Sequence, residues 1–130
     1  MTKPKVYVTR HLPYQARNEL DNYCDAEIWD HEYPPPYEIL EDRLKDKVGL
    51  LCLLTDKVDI TLMDAAPKLK VISQCAVGFD NIDIPATIEF NIPVGHTPGV
   101  LTDATADIAF GLMLAVSRKM FFQQIGRAHV

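Results

Sequence analysis

Short apolar runs alternate with amphipathic segments along most of the chain. The runs at residues 5–9, 26–29, 48–54, 71–74 and 93–95 have the length of strands and are rich in Val, Ile, Leu and aromatic residues. Between them, apolar residues recur three and four positions apart, which predicts helices at 13–23, 37–44, 59–66 and 85–90. The continuous apolar run at 48–54 is typical of a central parallel strand that is buried on both faces.

This alternation predicts the α/β class. The connections are too long for hairpins, so the strands are expected to be parallel and joined by right-handed crossovers. We therefore predict a flavodoxin-like doubly wound parallel sheet with the strand order 2-1-3-4-5, formed by residues 1–100.

The last apolar segment differs from the others. From residue 101 to about residue 119 a predicted helix carries apolar residues around nearly its whole circumference. A helix that is apolar on all sides must be buried on all sides. We expect it to pack against a second domain, a second subunit or both. Its longest apolar stretch, 108–116, is shorter than the ~20 residues that a membrane span requires.

The C-terminal residues 125–130, Ile-Gly-Arg-Ala-His-Val, can be encoded by ATC GGA AGA GCA CAC GTC, a run that is familiar from sequencing adapters. We interpret these residues as a non-native tail. An ordinary polar C-terminus is the alternative.

Composition excludes several classes of function. The net charge is −5 and the 13 basic residues are dispersed, so no basic stripe is available for nucleic acid or an anionic membrane. The 3 cysteines are widely spaced and form no Cys-x-x-Cys pair, which argues against a disulfide framework and a zinc site. We predict no metal site. The N-terminus has no apolar signal segment, and we predict a cytoplasmic location.

Residues 75–81, Cys-Ala-Val-Gly-Phe-Asp-Asn, follow a predicted strand directly. Ligands of open α/β sheets bind at the carboxyl ends of the strands, and a glycine there allows close approach of the backbone. The amides of Val77 and Gly78 could therefore bind a carboxylate. The alternative is a plain turn in which Asp80 and Asn81 fix the chain by local hydrogen bonds.

Several segments together resemble one family. They are Val-Gly-Phe-Asp-Asn-Ile-Asp at 77–83, Asn-Ile-Pro-Val-Gly-His-Thr-Pro-Gly-Val-Leu-Thr at 91–102 and Ala-Thr-Ala-Asp at 104–107. With 5–10 and 50–59, they resemble the N-terminal part of the D-2-hydroxyacid dehydrogenase family, on its glyoxylate/hydroxypyruvate reductase branch.

The resemblance implies a two-domain oxidoreductase. Such an enzyme reduces a small 2-oxo acid, here glyoxylate or hydroxypyruvate, with NADH or NADPH, and is expected to be a homodimer at full length. Residues 1–100 would bind substrate, and 101–124 would form an interdomain and dimer helix and the start of a Rossmann domain that binds most of the cofactor. The sequence has no Gly-x-Gly-x-x-Gly, and the family's catalytic arginine, glutamate and histidine would lie beyond residue 130. The chain thus carries no catalytic residue and is expected to be inactive alone.

Site residues follow from the same resemblance. Val77 and Gly78 match the backbone amides that bind the substrate carboxylate. Leu53 and Leu101 resemble apolar walls of the substrate site, and Thr105 resembles a position near the nicotinamide. For these last three, core packing and helix capping stay open as alternatives.

Other polar residues are given structural roles. Asp80 and Asp83 are interpreted as fixing the loop, and Cys75 as a small buried thiol. His11, His31 and His96 do not match the catalytic position and are interpreted as surface or loop residues.

A stand-alone flavodoxin-like binding or signalling module is the alternative function. A phospho-receiver would use Asp56 as its acceptor, but it also needs an acidic pair after the first strand to hold a divalent cation. Arg10 and His11 occupy that place. A binding domain without catalysis is harder to exclude from the sequence, and a longer reading frame with a Gly-x-Gly-x-x-Gly segment would separate the alternatives.

Overall fold

A computed structural model describes residues 2–120 of the chain. Strands and helices alternate strictly in this part, as the apolar pattern predicts. The strands are β1 (Lys5–Val8), β2 (Asp25–Ile28), β3 (Gly49–Cys52), β4 (Val71–Gln74) and β5 (Val94–Gly95). The helices are α1 (Tyr14–Tyr23), α2 (Tyr37–Leu44), α3 (Ile60–Asp64), α4 (Ile84–Glu89) and α5 (Thr102–Ser117).

The five strands form one parallel sheet in the order β2-β1-β3-β4-β5, which confirms the predicted topology. Tyr7 of β1 is paired with Leu50 of β3, and Leu50 with Ile72 of β4. The chain leaves β1 in one direction to form β2 and returns on the other side to form β3. This reversal creates the switch point at which open α/β sheets bind ligands, outside the carboxyl ends of the strands.

The hydrophobic core lies on one face of the sheet. Alternate strand residues point to this face and are buried against α2, α3 and α4. Its main members are Tyr7, Leu50, Cys52 and Ile72 from the strands and Leu40, Leu44, Leu62, Met63 and Ala86 from the helices.

The opposite face is less covered than the sequence predicts. Leu51 of β3 is half-buried, and Val71 of β4 is 44% exposed. Leu20 of α1 borders a 150 Å³ cavity over this face, and α1 has no buried residue. The expectation of a central strand buried on both faces is therefore met at Gly49 and only in part at Leu51, because α1 alone does not cover the width of the sheet.

Local chemistry sets several element boundaries. Pro13 and Pro36 precede α1 and α2, where a missing N–H costs least. Asp59 and Asp83 cap α3 and α4 by accepting hydrogen bonds from Leu62 N and Ala86 N.

The described chain divides into two compact units, one ending at Pro98 and one beginning at Gly99. The second contains α5, so a helix forms where the apolar pattern predicts one. No side chain of α5 is buried among the described residues, and its predicted packing against a second domain or subunit stays a prediction. None of the described helices is long and apolar enough to cross a membrane. Residues 125–130, interpreted as a non-native tail, lie outside the described residues.

Candidate functional site

A buried carboxylate organises the carboxyl edge of the sheet. Asp56 is 3% exposed and lies in the β3 loop (residues 53–57). One of its oxygens, Oδ2, accepts hydrogen bonds from Leu53 N at 2.8 Å and from Thr9 Oγ1 at 2.5 Å. Arg10 Nη1 lies 3.4 Å from Oδ1 and supplies the opposite charge that a buried carboxylate needs. These contacts end β3 at Cys52, two residues before the end of the apolar run, because the Leu53 amide turns to Asp56.

Asn81 connects the β3 loop to the β4 loop (residues 75–81). Its Nδ2 donates to the carbonyls of Leu53 at 3.0 Å and Asp56 at 2.8 Å. Its Oδ1 accepts a hydrogen bond from Gln74 Nε2 at 2.7 Å. The amide group of Asn81 therefore holds the ends of β3 and β4 in a fixed relation.

Gln74 is the buried centre of this network, with 1% exposure. Its Nε2 also donates to the carbonyl of Gly78 at 3.2 Å, and its Oε1 accepts from Cys52 Sγ at 3.1 Å. Burial, with a smaller contribution from Asp56, raises the pKa of the Cys52 thiol to about 12, so the thiol stays protonated and can donate. Both ends of the Gln74 amide are thus satisfied within the protein.

The backbone of the β4 loop is held through its carbonyl groups. Thr97 N donates to the carbonyl of Ala76 at 3.0 Å, and His96 Nδ1 lies 2.8 Å from that of Val77. The amides of Val77 and Gly78 donate to no acceptor within the described residues. The loop therefore has engaged carbonyls and two adjacent free N–H groups, an arrangement that suits an anion.

The backbone conformation at position 78 does not require glycine. Its φ is not positive, whereas that of Gly99 is 81°. A Cβ at position 78 would meet only Leu54 Cδ2, at an ordinary 3.5 Å. Glycine instead leaves the backbone at position 78 without a side chain beside an apolar neighbour, Leu54.

The structure brings some of the predicted site residues together. Val77, Gly78 and Leu53 belong to the two loops that Asn81 and Gln74 connect. Leu101 and Thr105 lie in the second unit, at the start of α5, where Thr105 N donates to Leu101 O at 3.0 Å. Their predicted roles stay predictions.

Three of the structural interpretations need correction. Cys75 is exposed, not buried. Asp80 makes no side-chain hydrogen bond within the described part of the chain, and Asn81 fixes the loop through distant rather than local partners. Asp83 does fix the chain, as the cap of α4.

Among the histidines, His11 lies 2.7 Å from Asp30 and His31 packs on Trp29, whereas His96 contacts the β4 loop.

Sequence reasoning missed Gln74, Leu54 and the part played by Asp56. A signal existed for Gln74, because position 74 falls on the inward-facing side of a strand, where an uncharged polar residue must find partners. Leu54, 54% exposed, continues the apolar run beyond the end of β3 and lies beside Gly78.

The buried, fully engaged Asp56 is not available as a phosphate acceptor, which argues against the receiver alternative. An open parallel sheet of this order defines an α/β domain of the flavodoxin-like type.

Comparison with known proteins supports this fold class and identifies one family within it. Residues 6–124 match the model of the family described as D-isomer specific 2-hydroxyacid dehydrogenase, catalytic domain. The chain belongs to this family.

The chain is 52% identical over 121 residues to a glyoxylate reductase of Thermofilum pendens, a match that covers 92% of this chain and 36% of the relative. The crystal structure of the TT0316 protein from Thermus thermophilus superposes with a TM-score of 0.84 at 38% identity, over 96% of this chain and 40% of that one.

An NADPH-dependent glyoxylate/hydroxypyruvate reductase from Sinorhizobium meliloti, solved in complex with citrate, has a TM-score of 0.73 at 26% identity, over 98% of this chain and 40% of that one. The chain therefore spans well under half the length of these relatives.

Proposed function

We propose that this chain is the substrate-binding part of an oxidoreductase that reduces a small 2-oxo acid, glyoxylate or hydroxypyruvate, to the 2-hydroxy acid with NADPH or NADH. The observation that carries the proposal is the pair of free amides at Val77 and Gly78, at the carboxyl edge of the sheet in a chain of this family.

The two amides supply what a substrate carboxylate needs. Hydrogen bonds to a charged group are worth about 1.5–3 kcal/mol each, and a buried anion without them would be strongly disfavoured. Leu54 provides apolar surface beside Gly78, and we assign to Leu53, in the same loop, the role of a further apolar wall; a lower local dielectric strengthens such bonds. In this proposal the chain holds the carboxylate and so fixes the position of the adjacent keto carbon.

The rest of the reaction belongs to a second domain. We assign residues 1–100 to substrate binding and 101–124 to the interdomain helix and the start of a Rossmann domain. The nicotinamide cofactor, held mainly by that domain, supplies the hydride when bound. Within this chain, Thr105 would approach the nicotinamide and Leu101 would complete the apolar wall. The greater length of the relatives, and the NADPH dependence of one of them, support this assignment.

A homodimer is part of the proposal. The side chains of Ile108, Phe110, Leu112 and Val116 on α5 are 55–72% exposed. Burial of this apolar surface against a second copy or a second domain would be strongly favourable.

The test compares the complete protein with the 130-residue chain. The complete protein should oxidise NADPH or NADH in the presence of glyoxylate or hydroxypyruvate, whereas the chain alone should not. Turnover by the chain alone would contradict the domain assignment. If the complete protein bound small carboxylates but left both 2-oxo acids unreduced, it would instead be a binding module without catalysis.

Gly78→Pro in the complete protein tests the site itself. Proline removes one of the two N–H groups, so kcat/KM for glyoxylate should fall at least about tenfold. Gly78→Val keeps the amide but adds a branched side chain where the ligand approaches, and should also weaken substrate binding.

Gly95→Val is the matched control, because a Cβ there meets nothing within 4 Å. All variants must retain the wild-type thermal midpoint and cofactor affinity. Wild-type turnover by both Gly78 variants would show that these amides do not hold the carboxylate.

A further inference from the structure

The direction of the Gly78 N–H is coupled to the carbonyl of the preceding residue. In a trans peptide the C=O of residue 77 and the N–H of residue 78 lie in one plane and point in opposite directions. Whatever holds the Val77 oxygen therefore also aims the Gly78 N–H. The group that holds this oxygen is the imidazole of His96, whose Nδ1 lies 2.8 Å away. Because a carbonyl oxygen can only accept, Nδ1 carries the hydrogen in this contact.

The preceding peptide is held in the same way. Thr97 N donates to the Ala76 oxygen at 3.0 Å, which aims the Val77 N–H. Two successive residues that follow β5 thus hold two successive peptides of the β4 loop. One contact comes from the backbone, and only the contact from His96 depends on a side chain.

The His96 ring is itself oriented by an aromatic neighbour. Its centroid lies 5.3 Å from that of Phe79, with an interplanar angle of 83°, the favoured edge-to-face arrangement. Phe79 belongs to the β4 loop, so the loop and the imidazole stabilise one another. His96 nevertheless has an exposed side chain, so its replacement should cost little fold stability.

We propose that His96 is a positioning residue for the carboxylate site, acting on the Gly78 N–H through the Val77 carbonyl. This inference rests on the proposed function, because it assigns the oriented amide to the substrate carboxylate. His96 contacts the carbonyl side of the peptide, away from the ligand, so it is not a catalytic residue.

Two substitutions of His96 in the complete protein separate positioning from packing. His96→Phe keeps an aromatic ring against Phe79 but removes the donor. His96→Asn loses the ring but can place its Nδ2 near the position of Nδ1. We expect His96→Phe to raise KM for glyoxylate about three- to tenfold with kcat changed less than about twofold, and His96→Asn to restore KM to within about twofold of wild type. His31→Phe, at an exposed histidine that packs on Trp29, is the control and should leave KM unchanged.

A second measurement on the 130-residue chain does not depend on catalysis. The heteronuclear NOE of the Gly78 amide should be that of ordered backbone in wild type and His96→Asn, and should fall in His96→Phe. An ordered Gly78 amide together with wild-type KM in His96→Phe would overturn the role of His96, even if Gly78→Pro impairs turnover.

The remaining outcomes distinguish this inference from the function on which it rests. If the amide becomes mobile in His96→Phe but KM stays at the wild-type value in both His96→Phe and Gly78→Pro, the carboxylate is not bound at these amides and the inference fails with the site. Absence of 2-oxo acid reduction by the wild-type complete protein would overturn the proposed function directly, and the role of His96 in it.

Discussion

Tyr7 is a core residue whose hydroxyl group makes no hydrogen bond with the described part of the chain. Its side chain is 1% exposed in the core, and its hydroxyl has no hydrogen-bond partner among the described residues. Burial, followed by the nearby charge of Glu27, raises the pKa of Tyr7. A buried hydroxyl without a partner costs about 1–3 kcal/mol, while the ring itself packs favourably.

We therefore expect Tyr7→Phe to leave the free energy of unfolding unchanged or to raise it by about 1 kcal/mol, measured by chemical denaturation. Tyr14→Phe, at a side chain that is 82% exposed, is the control and should have no effect. A loss of stability in Tyr7→Phe alone would mean that the hydroxyl has a partner in solution, such as an ordered water.

At the same scale, the sequence predicts the individual site residues only where they are local. Val77 and Gly78 could be proposed because they follow a strand end directly and match a segment of the family, and their role stays a prediction. The contacts of Asn81 could not be derived in this way, because its partner Leu53 is 28 positions away in the sequence. Nothing in the local pattern distinguishes a side chain that binds its neighbours from one that joins two loops.

At the scale of elements, Asp59 joins α2 to α3. Its Oδ1 caps α3 by accepting from Leu62 N at 3.1 Å and also accepts from Tyr37 Oη at 2.5 Å. Lys57 Nζ lies 2.6 Å from Oδ2. Burial favours the neutral acid, but the hydrogen bonds from Lys57 and Tyr37 outweigh it and lower the pKa of Asp59 from 3.8 to about 2.

The lowered pKa predicts how Asp59→Asn depends on pH. A carboxyl whose pKa falls on folding stabilises the protein above its unfolded pKa, and this contribution disappears as the pH falls through the folded pKa. Asparagine still caps a helix, so the variant should lose about 1–2 kcal/mol at neutral pH, mainly from the lost charge. The difference from wild type should be complete above about pH 5 and should vanish below about pH 2.

Denaturation of both proteins across this pH range is the measurement. Asp64→Asn, at an exposed position of the same helix, should leave the stability at neutral pH unchanged. A difference for Asp59→Asn that persisted undiminished below pH 2 would contradict an ionic origin.

Elements were predictable where the apolar pattern alone decides them. The parallel sheet with right-handed crossovers follows from the alternation, and the order 2-1-3-4-5 is one of the two common doubly wound orders. The end of β3 did not, because the apolar run continues through Leu53 and Leu54, while the hydrogen bond from Leu53 N to Asp56 withdraws the chain from the sheet. The periodicity of apolar residues indicates which side chains are buried. It does not indicate where a side chain, such as that of Asp56, accepts a hydrogen bond from a backbone amide that would otherwise pair in the sheet.

For the whole molecule, the exposed apolar surface of α5 predicts association. We expect the 130-residue chain to form dimers or larger species as its concentration rises in analytical ultracentrifugation. The double variant Leu112→Lys, Val116→Glu should shift it toward monomer without loss of helix content by circular dichroism. Ile88→Lys is the control, since Ile88 is 72% exposed on α4 and should not affect association. A wild-type chain that stays monomeric at high concentration would contradict this prediction.

The proposed site's reliance on main-chain groups has a consequence for mutational scanning. Replacing loop residues by alanine shortens side chains but leaves every N–H in place, so a scan across residues 75–80 would under-report a site made of backbone amides. The largest responses would instead come from Gln74, Asn81 and His96, which hold the loop and approach the ligand only through its backbone. The positions at which alanine lowers activity would then be those that hold the loop in place. The loop residues whose amides bind the ligand would show little effect of substitution.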